Sequence, residues 1–591
     1  MIKFPEHAPL TGADRERLEA ALSALSGDQR QWLSGYLAGL SGSVAGGAVV
    51  APAAATPLTI LYGTESGNCE ELADRTAKKA KKSGFKPKML NMSDAQVTDL
   101  SSHKNLLVIV STWGDGEPPE TAERFYKEFM NGSPQLDGVK YSVCALGDTS
   151  YEQFCQTGKD VDARFAELGA TRVLDRVDCD VDYEDSYEGW LSEVLPTFGA
   201  SGGAAVGAAP SAIMPAVEYG KKNPFPAEVS EKVLLSGEGS QKETWHIELD
   251  LEGSGLSYEV GDVLGVKAKN SADVVEAVVA ASGLDAGAEV TLKDGSKKPF
   301  SEALAEDLDI TALSRKFAQS YAELIGSKEL AALADKADAA KFNEYSDGRQ
   351  IVDVLEDFPA KDLKAAEFVK LLRPLPPRLY SIASSMNEHP VEVHLTVAAV
   401  RYASHGKERK GVASTALADI YQNGDQVPVF VQPNKRFRLP ENDETPIIMV
   451  GPGTGVAPFR AFVEERGVRE AEGESWLFFG DQRYSYDFLY QLEWQDHLKS
   501  GALTKLDVAF SRDQPEKVYV QHKLLEHAAE VYAWLDKGAH FYVCGDAERM
   551  AGDVHQALEA IVQEQGGKSA EEATAYLEQL KKDGRYQRDV Y

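Results

Sequence analysis

Residues 373–385 read R-P-L-P-P-R-L-Y-S-I-A-S-S. Pro374, Pro376 and Pro377 bar a helix and leave an extended lead-in. Arg378-Leu379-Tyr380-Ser381 then enters an apolar, alternating stretch, which predicts a strand over Arg378–Ser384. Side chains alternate along a strand, so Arg378 and Tyr380 point the same way. A cation beside an aromatic face suits a ligand with a phosphate and a flat ring. The tetrapeptide equally suits an ordinary strand with an exposed arginine and a half-buried tyrosine. The flanking sequence has to separate the two.

Immediately upstream, strands are expected at Glu231–Leu235, Thr244–Leu249 and Tyr258–Val266, the last with Gly261-Asp262 as a turn. Downstream come Glu392–Val400 and Asp425–Val431. Between these, Gly411-Val412-Ala413-Ser414 opens a helix over Thr415–Ile420, a small-residue nest at a positive helix end that fits a phosphate. Residues 272–372 are Ala/Leu/Lys/Asp-rich, mostly helical, and carry no chemical motif. The sum is a β-barrel interrupted by a helical insertion.

Further out on both sides the pattern changes to strand–loop–helix. On the N-terminal side, Leu58–Tyr62 runs into Gly63-Thr64-Glu65-Ser66-Gly67-Asn68, and Cys69–Gly84 is helical. Hydroxyl side chains and backbone N–H groups at a helix N-terminus make an anion nest. The loop lacks the lysine of a nucleoside-triphosphate loop, so it suits a single phosphate. The strand Leu106–Val110 ends in Ser111-Thr112-Trp113-Gly114. The strand Tyr141–Leu146 ends in Gly147-Asp148-Thr149-Ser150-Tyr151-Glu152-Gln153-Phe154-Cys155. In an open parallel sheet such carboxyl ends share one crevice. A phosphate loop beside Trp113 and Tyr151 fits a flat ring on a phosphorylated tail. The acidic run Asp178–Asp185 is either a solvated face or a surface that steers a basic redox partner.

On the C-terminal side, Ile447–Val450 leads into Gly451-Pro452-Gly453-Thr454-Gly455-Val456-Ala457-Pro458-Phe459 and a helix, a departure from G-x-G-x-x-G in its last glycine. Strands follow at Leu477–Gly480 and Leu506–Phe510. The latter ends in Ser511-Arg512, ahead of Lys517-Val518-Tyr519-Val520-Gln521. An NADP site needs cations for the 2′-phosphate, which Arg512 and Lys517 supply, while Tyr519 can stack on adenine. The bland reading of this segment is a salt-bridged loop, with Asp513 beside Arg512. Phe541–Val543 ends in Cys544-Gly545-Asp546, a thiol at the crevice. The chain stops at Tyr586–Tyr591, whose last residue is free unless something holds it.

A chain of 591 residues exceeds one core. Its net charge of −31 disfavours nucleic acid and anionic membranes as partners. Five cysteines, without a C-x-x-C pair, point to a reducing, cytoplasmic setting and to no metal site. The N-terminus lacks a signal-peptide core, and the Ala/Gly-rich window Val44–Tyr62 contains Pro52 and Pro57, so it reads as tether, not membrane span. The expected domains are a helical segment 1–41 that could pack on another copy, a linker 42–57, a doubly wound domain 58–198, a flexible linker 199–222, the barrel 223–443, and a second doubly wound domain 444–591.

RLYS, GVAS, GPGTGVAPF, SR…KVYVQ, CGD and a terminal DVY, in that order behind the first doubly wound domain, resemble the diflavin reductases. The first domain is similar to flavodoxins. Within the family, the helical N-terminus, LRPLPPRLYSIASS and YQRDVY are most similar to the flavoprotein (alpha) subunits of NADPH–sulfite reductases. The resemblance implies FMN at Thr64–Cys69, Ser111–Gly114 and Leu146–Cys155. It implies FAD at Arg378–Ser381, with Gly411–Ser414 on the pyrophosphate, Thr396-Val397-Ala398 and Tyr402 lining it, and Tyr591 over the ring. It implies NADPH at Gly453–Pro458, Ser511, Arg512, Lys517–Gln521 and Asp553. Ser381, Cys544 and Asp589 match the family's hydride-transfer group. The implied partner is a sirohaem/iron–sulfur subunit that reduces sulfite to sulfide. Five scattered cysteines lack a cluster's spacing, so sulfite reduction itself belongs elsewhere. Two other readings stand beside this one: a stand-alone NADPH reductase for another soluble haem or flavin acceptor, and a non-catalytic flavin-binding assembly protein.

Overall fold

A computed structural model describes residues 55–114, 116–199, 219–335 and 339–591. The expected helical segment 1–41, most of its linker, Asp115, and residues 200–218 of the second linker lie outside the described residues.

The first module is a parallel sheet: β1 (Thr56–Gly63), β2 (Phe85–Asn91), β3 (Asn105–Ser111), β4 (Lys140–Leu146), β5 (Thr171–Arg172) and β6 (Val177–Cys179). The spatial order is β2-β1-β3-β4-β5, with β6 also on β4. A sheet covered on both faces needs apolar residues at every position. Accordingly, Leu58, Ile60 and Tyr62 pack with the helix Asn68–Lys82 on one face. Leu61, Val108 and Val110 pack with Phe125, Phe129 and Phe165 on the other. β2 carries only a half-buried pattern and has no counterpart among the strands expected from sequence.

The middle module holds β7 (Phe225–Leu234), β8 (Thr244–Asp250), β9 (Val263–Val266), a hairpin of β10 (Glu289–Thr291) and β11 (Lys297–Pro299), β12 (Arg378–Ser381), β13 (Glu392–Ala398), a hairpin of β14 (Arg401–Ser404) and β15 (Lys407–Lys410), and β16 (Gln426–Gln432). Six of these form an antiparallel sheet in the order β12-β9-β16-β7-β8-β13. Beyond β12, Ile382 bridges Leu395 of β13, and Ala383 donates its N–H to the His394 carbonyl at 2.8 Å. The outer strands thus meet, and Arg378–Ser381 lies at the seam. The expected strand from Tyr258 begins only at Val263. Gly261 has φ +95°, and a Cβ there would sit 1.8 Å from the Phe437 carbonyl oxygen, so the chain turns there. The insertion is mostly helical as expected, around its own core of Phe300, Phe317, Tyr321 and Phe368. The β10–β11 hairpin, which the helical reading did not contain, interrupts it.

The last module comprises β17 (Ile447–Val450), β18 (Ser475–Asp481), β19 (Lys505–Phe510), β20 (His540–Gly545) and β21 (Tyr586–Val590), all parallel in the order β19-β18-β17-β20-β21. The chain end, free unless something holds it, is held as a fifth strand.

Candidate functional site

At the carboxyl end of β1 the loop Thr64–Asn68 is internally braced. Thr64 Oγ1 accepts the N–H groups of Gly67 at 3.0 Å and Cys69 at 3.3 Å. The Thr64 N–H donates to Thr121 Oγ1 at 2.7 Å, and the Glu65 carboxylate accepts the Glu120 N–H at 2.6 Å. Gly67, at φ +86°, turns the chain into the helix. The N–H groups of Glu65, Ser66 and Asn68 have no partner among the described residues. Free donors at a helix start fit a phosphate. Beside the loop, Ser111 Oγ is buried without a partner. Trp113 and Tyr151, 37% and 54% exposed, stand on the other two loops, so their ring faces are open to a ligand. Cys69 is fully buried behind the loop, and burial pushes its thiol up to about 12. Leu146 and Cys155 are likewise buried beneath the crevice.

The acidic run is largely spent within the protein. Asp178 pairs with Arg176 at 2.6 Å, Glu184 with Arg75 at 2.9 Å and Asp182 with Lys293 at 3.2 Å, while Asp180 accepts the Thr149 hydroxyl at 2.6 Å.

In the middle module, Arg378 is exposed, and Tyr380 leans on the barrel core. Burial pushes the Tyr380 phenol up to about 12, against the pull of Arg378. Ser381 faces the other way: its hydroxyl donates to Asp589 Oδ2 at 2.7 Å. Strict alternation therefore holds, and Ser381 meets the last module while Tyr380 faces the barrel. At Gly411–Ser414 the Ser414 hydroxyl accepts the Val400 N–H at 3.1 Å, and the N–H groups of Val412 and Ala413 are unpaired among the described residues. The helix begins at Val412, earlier than its expected start. Tyr402 lies exposed on β14 opposite Arg409.

The side chains of Thr396 and Val397 lie elsewhere. Val397 is in the barrel core. Thr396 gives its hydroxyl to a polar cluster between the barrel and the last module, 2.7 Å from Tyr490 Oη. His246 lies 3.0 Å from Tyr490 Oη and 3.0 Å from Glu248. Arg460 donates to the Ala383 carbonyl at 2.7 Å and approaches His394 Nδ1 at 3.3 Å. That donation leaves the His394 proton on Nε2, 3.4 Å from Glu392. No sequence motif marks this cluster. Burial, then the Arg460 charge, holds His394 down to about 2. An unfolded histidine titrates near about 6.5, so the folded chain excludes a proton that the unfolded chain takes up below that pH. The stabilisation is full above about 6.5 and erodes as pH falls toward 2. The thermal midpoint is expected to drop on acidification in this window, and His394→Gln to flatten the drop. An unchanged slope in the variant would count against the cluster.

In the last module, Gly453 takes φ +58°, and a Cβ on Gly455 would lie 2.1 Å from the Cys544 carbonyl oxygen. The glycine loop and the end of β20 can approach only because residue 455 has no side chain. Gly455→Ala is expected to cost about 1–3 kcal/mol, read by thermal unfolding, and to displace Cys544. Ser511 donates its N–H to the Asp481 carbonyl at 2.9 Å, and Arg512 to that of Gln482 at 2.8 Å. Arg512, Lys517 and Tyr519 are exposed along one loop. Gln521 donates to Asp553 at 2.9 Å across neighbouring helices, which places those two expected residues together; Val518 and Val520 pack inward.

β21 pairs with β20 so that Asp589 lies opposite Cys544. Cys544 Sγ is 3.8 Å from the same Asp589 Oδ2 that accepts from Ser381. Burial, then Asp589, pushes the Cys544 thiol far above its usual value; burial also raises the Asp589 carboxyl, against the Ser381 and Cys544 hydrogen bonds. Tyr591 is anchored: its N–H donates to the Gly545 carbonyl at 3.0 Å, and its phenol lies 3.1 Å from Thr454 Oγ1. Its ring remains 49% exposed.

Cations from the later modules meet acids of the first. Arg373 reaches Asp148 at 2.5 Å, Arg588 reaches Glu120 at 2.7 Å and Arg315 reaches Glu152 at 3.3 Å. Arg436 donates to the carbonyls of Thr64, at 3.1 Å, and Glu65. Sequence reasoning did not reach these pairings, because each spans 163 residues or more.

Three family models match in order: flavodoxin over residues 60–190, FAD binding domain over 218–416, and oxidoreductase NAD-binding domain over 449–556. The chain is 47% identical over 600 residues, 99% of each chain, to the sulfite reductase [NADPH] flavoprotein alpha-component of Bacillus subtilis (strain 168). It is 44% identical over 604 residues, 99% of this chain and 96% of the other, to that of Vibrio parahaemolyticus serotype O3:K6. It is 45% identical over 598 residues, 99% and 98%, to that of Shewanella sp. (strain ANA-3). FMN, FAD and NADPH are the cofactors this domain set takes. With unpaired donors at the first crevice, Ser381 and Cys544 converging on Asp589 at the seam and near end-to-end similarity to these relatives, the chain belongs to the family of sulfite reductase [NADPH] flavoprotein alpha-components.

Proposed function

We propose that this chain is the electron-supplying component of an NADPH–sulfite reductase, delivering electrons to a sirohaem/iron–sulfur partner subunit that reduces sulfite to sulfide. When bound, the cofactors would supply the redox chemistry, hydride transfer from NADPH to FAD and onward electron transfer through FMN. The chain's own residues bind, orient and cover. Thr64–Cys69 hold the FMN phosphate, with Ser111–Gly114 and Leu146–Cys155 along the ring. Arg378, Leu379, Tyr380 and Gly411–Ser414 hold FAD, with Tyr402 near it. Gly453–Pro458, Ser511, Arg512, Lys517, Tyr519, Gln521 and Asp553 hold NADPH. Ser381 and Cys544 keep Asp589 placed and its charge balanced at the reacting edge. Tyr591 would shield the flavin ring and would have to yield its place to nicotinamide.

The observation that carries this reading is the convergence on Asp589 Oδ2 of Ser381 Oγ at 2.7 Å and Cys544 Sγ at 3.8 Å. A non-catalytic flavin binder has no need of it. We further propose that the domain boundaries are those expected from sequence, that residues 1–41 mediate homo-oligomerisation, and that the protein acts in the cytoplasm. No described helix is long and apolar enough to cross a membrane.

The test is cofactor analysis with reconstitution. Purified protein is expected to carry FMN and FAD in equal amounts and to yield sulfide from NADPH and sulfite only with a sirohaem partner present. FAD alone would remove the first-module assignment. Reduction of another haem protein but no sulfide would favour the stand-alone reductase.

A further inference from the structure

The phosphate loop of the first module is held from outside that module. Its three consecutive carbonyls, on Thr64, Glu65 and Ser66, all accept hydrogen bonds from the last residue of β16 or the segment that follows it. Arg436 Nη1 donates to the Thr64 carbonyl at 3.1 Å, and Nη2 donates to that of Glu65. Gln432 Nε2 donates to the Ser66 carbonyl at 3.3 Å and to Asn68 Oδ1 at 3.1 Å. Arg436 Nε is buried without a partner, so the guanidinium keeps a desolvated edge in order to present its two terminal nitrogens to the loop.

The peptide chemistry gives these contacts a direction. Each carbonyl is conjugated with the N–H of the next residue. The carbonyls of Thr64 and Glu65 therefore share their peptide units with the N–H groups of Glu65 and Ser66. Those N–H groups are two of the three unpaired donors at the candidate phosphate site. A cation on the carbonyl side draws electron density away from the nitrogen and makes the N–H a stronger donor. The guanidinium also brings one full positive charge to the loop, where Glu65 is acidic and accepts the Glu120 N–H, with Arg588 and the Glu120 carboxylate also acting on it.

We infer that Arg436 is a positioning residue that completes the FMN-phosphate cradle from the neighbouring module, so that FMN binding and docking of the first module strengthen each other. The inference rests on the loop being the FMN-phosphate site. Coupling of this kind is reciprocal: if docking tightens FMN, FMN tightens docking by the same factor.

The test uses the full chain, depleted of FMN but retaining FAD, and titrates it with FMN and separately with riboflavin, which has the same ring and no phosphate. R436A is expected to weaken FMN about tenfold, the scale of a charge-assisted hydrogen bond, and to leave riboflavin unchanged. R436K, which restores charge without the fork, should fall between. Raising salt should weaken FMN in the wild type more than in R436A. Bleaching of FAD by NADPH should be the same in all three proteins. In the protein without FMN, amide exchange at residues 65–68 should be faster in R436A and Q432A than in the wild type.

Equal FMN affinity in wild type and R436A overturns the inference while leaving the FMN site intact. Parallel loss of FMN and riboflavin also overturns it, since a general packing role does not distinguish a phosphate. Failure of the wild-type chain to take up FMN at all overturns the site assignment and the inference together. Should R436A lose FAD as well, the FMN-to-riboflavin ratio in R436K and Q432A decides in the same way.

Discussion

Asp589→Asn is expected to slow the bleaching of bound flavin by NADPH by about 10²-fold, the usual loss when a preorganised group at a reacting centre is removed. The asparagine preserves shape, and its amide oxygen can still accept from Ser381. It removes the negative charge that Ser381 and Cys544 together hold in place at 2.7 Å and 3.8 Å. Because burial lifts the Asp589 carboxyl above its usual range, the wild-type rate should show an acid limb at higher pH than an ordinary carboxylate would give. The limb should vanish in the variant. Cofactor content should not change. Stopped-flow absorbance across pH reads both effects, and a variant that bleaches at the wild-type rate removes Asp589 from the hydride step.

Arg512→Ala should raise KM for NADPH by roughly 10²-fold and leave NADH use unaltered. A charge-assisted contact to phosphate contributes about 1.5–3 kcal/mol, and each 1.4 kcal/mol is a factor of ten. The side chain is exposed, but its backbone is fixed: the N–H donates to the Gln482 carbonyl at 2.8 Å, and the carbonyl accepts from Arg483 at 3.0 Å. Those two hydrogen bonds fix the base of the loop from which the guanidinium projects, and its Nη1 also donates to Gln241. Lys517 stands on the same exposed loop and should account for part of the remaining preference. Initial rates with the two nucleotides decide the matter: an equal loss with both would assign Arg512 to structure.

The strands Ile447–Val450 and Lys505–Phe510 and the loops after them were legible because their signals are local. An apolar run, then small residues, then a helical period fixes a strand–loop–helix unit whatever surrounds it. The same holds for Gly63–Asn68 and for Arg378–Ser381. β2 was not legible, because its lysines and proline hide a strand that only the neighbouring β1 makes stable. Thr396 was carried to FAD by resemblance, yet its hydroxyl is spent on Tyr490, a residue 94 positions away. The acidic run, read as either a solvated face or a surface that steers a basic redox partner, has its charges largely paired with arginine, lysine or a hydroxyl.

The sequence by itself determined the order of the three modules, the phosphate-type loops at their strand ends and the kinds of ligand they suit, since backbone propensity and side-chain chemistry travel with the local chain. Only the tertiary structure decided that Tyr586–Val590 is a strand, that its register sets Asp589 opposite Cys544, and that Ser381 reaches across to the same oxygen. It alone placed Arg436 on a loop 372 residues away. Pairings of this kind depend on which surfaces pack together, and no short-range pattern encodes that.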